Sequence, residues 1–239
     1  MADHPAPGLL LLADSRLPTG GHAHSGGVEA AVERGLLRTE ADLALFLDAR
    51  LRGTGPVLAA VAAAGCLLAG GGCAALDERE AVDWSRWDAA VSARTPSAAL
   101  RDASRTQGGT LLRTARRIWT STALDELVAA GRPHHPLVLG VAAAVAGARP
   151  AAAALLALHH LVGGACSAAV RLLGLDPLAV AAVQARAVEA AAGPAREAVA
   201  AAASAVRADD TRLLPATGTP LPEILAELHA RSEVTLFAS

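Results

Sequence analysis

Long runs of alanine and leucine dominate this 239-residue chain, and they limit its fold more than any other feature. Hydrophobic residues make up 53% of the sequence but aromatic residues only 2%. The apolar content therefore consists mainly of alanine, leucine and valine, and the first two are strong helix formers. Alternating runs of β-branched and aromatic residues, which are typical of strands, do not recur. The sequence predicts an all-α protein.

Capping signals and helical periodicity divide the first half of the chain. Thr39 and Asp42 form a capping box before the amphipathic stretch 40–52. The stretch 99–131 is amphipathic too, but Gly108 and Gly109 interrupt it, so one helix with a soft point and two short helices both fit.

In the second half, the stretch 137–174 predicts two apolar helices, which the segment GARP separates and Gly174 ends. Asp176 and Pro194 mark the starts of two further helices. No linker and no repeat separates the chain into parts. We expect one domain over residues 1–239, a bundle of about eight to ten helices.

The uncharged stretch 53–76 is long enough to span a bilayer. It contains six glycines and many alanines, and these residues drive membrane insertion less than leucine or phenylalanine does. Helices that are apolar all round also occur at the centre of large helical proteins. We expect a buried core helix and no membrane contact.

Charge and cysteine content narrow the function classes further. The formal net charge is −2 and the arginines are scattered, so nucleic acid is not an expected partner. The three cysteines form no C-x-x-C pair, and an odd number does not fit a disulfide framework. With no secretory signal pattern at the N-terminus, a cytoplasmic protein is the expectation.

The glycine-rich stretch 17–35, LPTGGHAHSGGVEAAVERG, raises the question of a metal site. His22 and His24 lie on one side of the chain only if it is extended, and a third ligand would have to come from elsewhere. A metal-dependent hydrolase using this loop is one interpretation. The alternative is a structural turn, with His24 and Ser25 capping the next helix or bonding to the backbone.

No other motif indicates catalysis. The adjacent pairs His134–His135 and His159–His160 are not spaced to chelate one ion, and the sequence favours a helix start for the first pair and core positions for the second. The P-loop pattern and the G-x-S-x-G pattern are absent. We expect no enzyme activity and no cofactor.

The stretch 9–35, LLLLADSRLPTGGHAHSGGVEAAVERG, resembles the N-terminal signature of the UreF family of urease accessory proteins. The matching positions are Leu9 to Leu12, Asp14, Leu17, Pro18, Gly20, His24, Ser25, Gly27 and Glu29. The segments SAALRDASRTQGGTLLR and HHPLVLGVAAAVAG are similar to two internal segments of that family. The C-terminal PLPEILAELHARSEVTLFAS resembles its last helix and tail, at Pro222, Glu223, Ile224, His229, Leu236, Phe237 and Ser239.

Four positions depart from the family pattern. His22 and Ala23 stand where an aromatic residue and a serine are usual, and Gly26 replaces a larger residue. Thr235 stands where the family has an arginine. These departures suggest a looser N-terminal turn and a changed anchor for the tail.

The resemblance implies an all-helical, non-catalytic assembly factor, usually a homodimer. Such a protein docks on UreD (UreH), recruits the GTPase UreG and assists the insertion of nickel into apo-urease (UreA, UreB and UreC). A nickel path lined by histidine or cysteine side chains is a further hypothesis within this interpretation. We also expect a flexible tail at 230–239 that becomes ordered on UreD.

Partner helices bind through apolar and arginine anchors inside a polar rim. The candidate anchors lie in the histidine loop, on the helix with three arginines and in the last helix and tail. They are His24, Ser25, Glu29, Arg113, Arg116, Arg117, His229, Leu236, Phe237 and Ser239. For the arginines, a solvated helix face is the alternative.

Overall fold

The computed structural model describes residues 7–19, 24–70, 81–231 and 236–237. Within these ranges the chain is helical and has no strand. The helices are α1 (Pro7–Ala13), α2 (Val28–Glu33), α3 (Glu40–Arg52), α4 (Gly55–Leu68), α5 (Trp84–Ser92), α6 (Ala98–Ile118), α7 (Thr122–Ala129), α8 (His135–Val145), α9 (Pro150–Leu173), α10 (Pro177–Ala190), α11 (Ala192–Ala208) and α12 (Pro220–His229). A short 3-10 turn, Thr211–Leu213, precedes α12.

The all-α prediction is confirmed. Of the twelve described helices, α1 and α2 have seven and six residues. The other ten have eight or more, in agreement with the eight to ten expected from the sequence.

Several helices begin where the sequence places a cap. The Thr39 hydroxyl accepts a hydrogen bond from the Asp42 N–H, and the Asp42 carboxylate accepts one from the Thr39 N–H, so the capping box before α3 is present. The Asp176 carboxylate caps α10, and Gly174 ends α9 in the left-handed conformation. These contacts satisfy backbone groups that a helix end would otherwise leave unpaired.

Helix α4 lies at the centre of the core and packs against α8, α9 and α11. It approaches α8 closely because glycines stand at the contact. A Cβ on Gly140 would lie 2.1 Å from the Ala62 carbonyl oxygen, and one on Gly65 would lie 2.8 Å from that of Leu137. Small residues thus let two apolar helices pack backbone to backbone.

The described part of stretch 53–76 is a core helix, because most residues of α4 are buried inside the protein. By length and composition, α9 could cross a membrane, and α3 and α4, bent by 51°, would pass the same test as a pair. More than half of the apolar window of α9 is buried within the fold. The core helix of a globular protein can also be long, apolar and mostly buried.

The amphipathic stretch after Ser97 is one continuous helix up to Ile118, and the chain bends at Trp119 rather than at Gly108. A Cβ at Gly108 would lie 2.1 Å from the Pro133 carbonyl oxygen and 2.9 Å from the His135 nitrogen. Gly108 therefore accommodates the chain that leads into α8. This close approach explains the glycine without a break in the helix.

Candidate functional site

The described part of the glycine-rich N-terminal stretch is a turn that leads into α2. Gly26 and Gly27 have φ angles of 62° and 90°, which favour glycine. The Ser25 hydroxyl accepts a hydrogen bond from the Glu29 N–H at 3.3 Å. Ser25 therefore contributes to the start of the helix, as the structural alternative predicts. His22 and Ala23 lie outside the described residues.

Helix α2 positions the carboxylate of Glu29 in the interior. Its Oε1 accepts a hydrogen bond from the Leu236 N–H at 2.7 Å, and its Oε2 accepts one from the Phe237 N–H at 2.9 Å. A buried carboxylate requires such partners, because burial removes it from water. One side chain near the N-terminus therefore holds the backbone of the C-terminal tail.

His229, at the end of α12, completes this junction. Its Nε2 lies 3.3 Å from Glu29 Oε2 and 3.3 Å from the Phe237 carbonyl oxygen. Both neighbours are acceptors, so Nε2 is the nitrogen that carries the hydrogen. The Phe237 ring is buried, and the Arg171 guanidinium lies over it at 4.5 Å from the ring centroid, a distance suited to a cation–π contact.

The fold therefore brings together four of the candidate partner-binding residues, Glu29, His229, Leu236 and Phe237. Three of them are buried in the isolated chain, whereas the Leu236 side chain is 76% exposed. We call this cluster the tail junction. Ser239 lies outside the described residues, so its role stays a prediction.

A cleft of about 520 Å³ lies beside the N-terminal turn, and its lining includes four histidines: His24, His135, His159 and His160. His160 Nε2 donates to the Leu12 carbonyl oxygen at 2.9 Å. The ring centroids of His135 and His160 are 5.9 Å apart. Helices α8 and α9 thus bring residues from both histidine pairs to one cleft.

The protein environment favours the neutral form of three of these imidazoles, those of His24, His135 and His160. Burial lowers the pKa of His135 to about 3, helped by the nearby His160 and His24, and lowers the pKa of His160 to about 4. Burial also lowers the pKa of His24. Neutral imidazole is the form that binds metal ions.

The cleft does not form a chelating site in the part of the chain that the structure describes. No group of three or more His, Cys, Asp or Glu side chains in those residues is placed to hold one ion. Cys166 lines the cleft, but burial raises the pKa of its thiol to about 11. That thiol is therefore protonated and is a weak ligand at neutral pH.

His134 belongs to a separate buried network. Its Nε2 lies 2.9 Å from the Ser92 hydroxyl and its Nδ1 lies 3.0 Å from the Ser104 hydroxyl. The Asp88 carboxylate accepts a hydrogen bond from the His134 N–H and pairs with Arg105. His134 is fully buried, so this network of one histidine and two serines joins α5, α6 and the start of α8 and does not face a substrate.

The three arginines singled out in the sequence are exposed on α6. Arg116 pairs with Asp125 of α7 at 2.8 Å, and Arg113 donates to the Thr110 hydroxyl at 3.1 Å. They belong to neither the tail junction nor the histidine cleft. Their role in partner binding stays a prediction.

Sequence reasoning missed Arg50 of α3. Its guanidinium donates to the Gly26 carbonyl oxygen, lies 5.8 Å from the Phe46 ring centroid, and has a pKa lowered to about 10 by burial. Arg50 follows Leu43 and Leu47 at helical spacing, on the face that packs inward. A charged residue on an apolar face was the signal that could have revealed it.

Comparisons of the sequence with known proteins indicate one family. The model of the UreF family matches residues 37–188. The chain is 43% identical over 234 residues to the urease accessory protein UreF of Mycolicibacterium vanbaalenii, covering 97% of both chains. It is 42% identical over 232 residues to the protein of that name from Mycobacterium sp. strain JLS, again covering 97% of both. With the Mycobacterium marinum protein it shares 44% identity over 138 residues, 58% of this chain and 59% of that one.

Proposed function

Because this chain belongs to the UreF family of non-catalytic urease accessory proteins, we propose that it assists the insertion of nickel into apo-urease. In this role it docks on UreD (UreH) and recruits the GTPase UreG in the cytoplasm. The observation that carries the proposal is similarity over nearly the whole length, 43% identity across 97% of both chains. A match of this length rests on nearly the whole chain and not on one short motif.

We assign the partner contacts to two surfaces. One lies around the tail junction, where the exposed Leu236 and the outward side chains Leu221, Ile224 and Leu228 of α12 leave apolar area in contact with water. The other is the arginine face of α6. Apolar and arginine side chains are common anchors in protein interfaces. We further propose that the single domain forms a homodimer.

The histidine cleft supports a second element of the proposal, passage of nickel through the assembled complex. Neutral imidazoles bind Ni²⁺, and the cleft offers several in one place without a chelating set among the described residues. Sites that bind an ion weakly suit transfer better than storage. The variant His24→Ala tests this element: lower urease activation with intact binding to UreD supports it, and unchanged activation counts against it.

The direct test of the proposal is reconstitution from purified components. We expect the chain to co-elute with UreD in size-exclusion chromatography and to retain UreG only when UreD is present. An exposed-face variant such as Glu33→Ala serves as a control that leaves assembly unchanged. Failure to bind UreD under conditions in which another UreF protein binds it would refute the docking role.

Metal analysis separates the proposal from the alternative hydrolase that uses the His22/His24 loop. A hydrolase would purify with about one tightly held divalent ion per chain. The family to which the chain belongs is non-catalytic, and the described residues lack the strand and helix alternation of barrel hydrolases. We expect substoichiometric metal after purification.

A further inference from the structure

A groove of about 400 Å³ runs along α6, beside the turn that joins α7 to α8. Its lining contains no acidic side chain among the described residues, and Leu112 and Val128 supply apolar area. Four guanidinium groups surround it: those of Arg105, Arg113, Arg116 and Arg132. Only Arg113 and Arg116 belong to the arginine face of α6 described above. The groove adds Arg132, which lies in the turn between α7 and α8.

Gly109 and Gly131 line the groove at positions where a side chain would fill part of it. Gly108 is required by the close approach of Pro133, but a Cβ on Gly109 would meet only the Arg113 guanidinium, at 3.6 Å. A glycine inside a helix lowers helix stability relative to alanine, so core packing does not explain Gly109. Opposite it, Gly131 has a φ of 104° and nothing within 4 Å of a Cβ position. The two glycines keep the groove open.

Three of the four arginines are available to an incoming anion. Arg105 is held by Asp88 at 2.9 Å, with both side chains mostly buried, and belongs to the structural network. By contrast, Arg116 and Asp125 form a half-exposed pair, and Arg132 lies 3.5 Å from the exposed Asp102. Exposed pairs of this kind contribute little to stability. Arg113 donates to a hydroxyl and forms no ion pair with a described carboxylate.

The spacing of these arginines indicates the shape of the ligand. Arg132 lies at the level of Asp102 and Thr106, 3.5 and 3.4 Å from them. Arg116 lies ten residues beyond Thr106 on the same helix, roughly 15 Å along the axis at 1.5 Å per residue. A single phosphate or carboxylate is too small to meet both. Acidic side chains at alternate positions of an extended peptide cover about 13 Å over five residues.

We propose that this groove binds an extended acidic segment of a partner polypeptide, with Arg113, Arg116 and Arg132 pairing with successive carboxylates. The planar guanidinium suits this ligand because it binds a carboxylate through two parallel hydrogen bonds. Val128, whose side chain is exposed, contacts the aliphatic part of the segment. The inference rests on the proposed function only for the expectation that the chain has a protein partner. Its test needs no urease component.

The test is fluorescence anisotropy with a labelled peptide of alternating glutamate and alanine, about five residues long, and a matched glutamine–alanine peptide. The wild-type chain should bind the glutamate peptide in a saturable way and the glutamine peptide not at all. Arg113→Ala with Arg116→Ala should weaken binding about tenfold. Gly109→Leu, which fills the groove without removing charge, should weaken it to a similar extent.

Arg207→Ala is the control, because it removes an exposed arginine of α11 that does not line the groove. Its affinity should stay within about twofold of the wild type. Circular dichroism of each variant checks that the helix content of the whole chain is unchanged. Equal loss in Arg207→Ala, unchanged binding by Gly109→Leu, or absence of saturable binding would each overturn the proposal.

Competitors identify the class of anion. Inorganic phosphate and a short single-stranded DNA are added to the complex at matched ionic strength, since salt alone weakens exposed ion pairs. Displacement only by unlabelled glutamate peptide supports an acidic polypeptide. Displacement by phosphate or DNA at lower concentration than the peptide would overturn the assignment. Unchanged nickel insertion in cells that lack the chain, together with intact peptide binding, would refute the proposed function and leave the groove assignment standing.

Discussion

Helices α4 and α8 meet through apolar side chains and two glycines, whereas α2 and the C-terminal residues 236–237 meet through one carboxylate. The first contact buries backbone against backbone and tolerates no added atom. The second satisfies two backbone N–H groups with a single side chain, and the groups it joins are about 207 residues apart. Close packing fixes the scaffold of this protein, and a polar contact fixes the segment that faces the proposed partner.

The core contact should be the more sensitive to substitution. Gly140→Ala places a Cβ 2.1 Å from the Ala62 carbonyl oxygen, a backbone atom that cannot move without shifting α4. We expect a loss of about 3 kcal/mol or more in unfolding free energy, measured by urea denaturation. Gly164→Ala on α9 is the control, because nothing lies within 4 Å of its Cβ position. A gain of about 0.5–1 kcal/mol is expected there.

Three histidines with lowered pKa values should make stability depend on pH. The pKa values of His135, His160 and His134 are lowered by burial to about 3, 4 and 4. Below pH 6.5 the unfolded chain takes up protons at these residues and the folded chain does not, so stability falls as the pH falls from 6.5 towards 4. Each histidine lowers the free energy of unfolding by up to about 1.4 kcal/mol for each pH unit of this fall.

Urea midpoints at pH 7, 6 and 5 measure this dependence. His135→Gln should flatten it, because glutamine does not titrate. Gln107→Ala, which removes an uncharged side chain from the same cleft, should leave the slope unchanged. A slope that is the same in both variants would show that His135 does not titrate as described.

At the tail junction, Glu29→Ala leaves the N–H groups of Leu236 and Phe237 without their acceptor. We expect the tail to detach and its amides to lose protection in hydrogen exchange, with a fall of about 1–3 kcal/mol in unfolding free energy. Glu33→Ala, an exposed residue of the same helix, is the control. Unchanged protection of residues 236–237 would mean that Glu29 does not hold the tail.

The smallest expected effect is at the capping box of α3, which belongs to the scaffold rather than to the tail junction. Thr39→Ala removes the acceptor of the Asp42 N–H and should cost about 1 kcal/mol in thermal or urea denaturation. Asp48→Ala removes an exposed ion pair with Arg52 on the same helix. That control should cost less than about 0.5 kcal/mol, so an equal loss in the two variants would argue against the cap.

The sequence predicted what depends on local pattern. Caps at Thr39 and Asp176, the buried helix in 53–76 and the helix end at Gly174 follow from residue type and spacing. The uninterrupted course of α6 through Gly108 did not, because the close approach of Pro133 that explains this glycine is a tertiary contact.

The candidate site was predictable in part. Similarity to a known family pointed to Glu29, His229 and Phe237, but not to the hydrogen bonds between them, since sequence spacing gives no information on contacts between distant segments. Arg50 and Arg171 were missed because each acts on a group from another element. His135 and His160 were considered only within adjacent pairs, and α8 and α9 bring them together across the cleft.

The central claim is a role in urease maturation, and urease activity in cells tests it most directly. The cells carry the structural and accessory genes in nickel-replete medium, with the gene for this chain deleted and then restored. The account predicts loss of activity on deletion, with unchanged amounts of urease protein, and recovery when the gene is restored. Full activity without the chain would contradict the account.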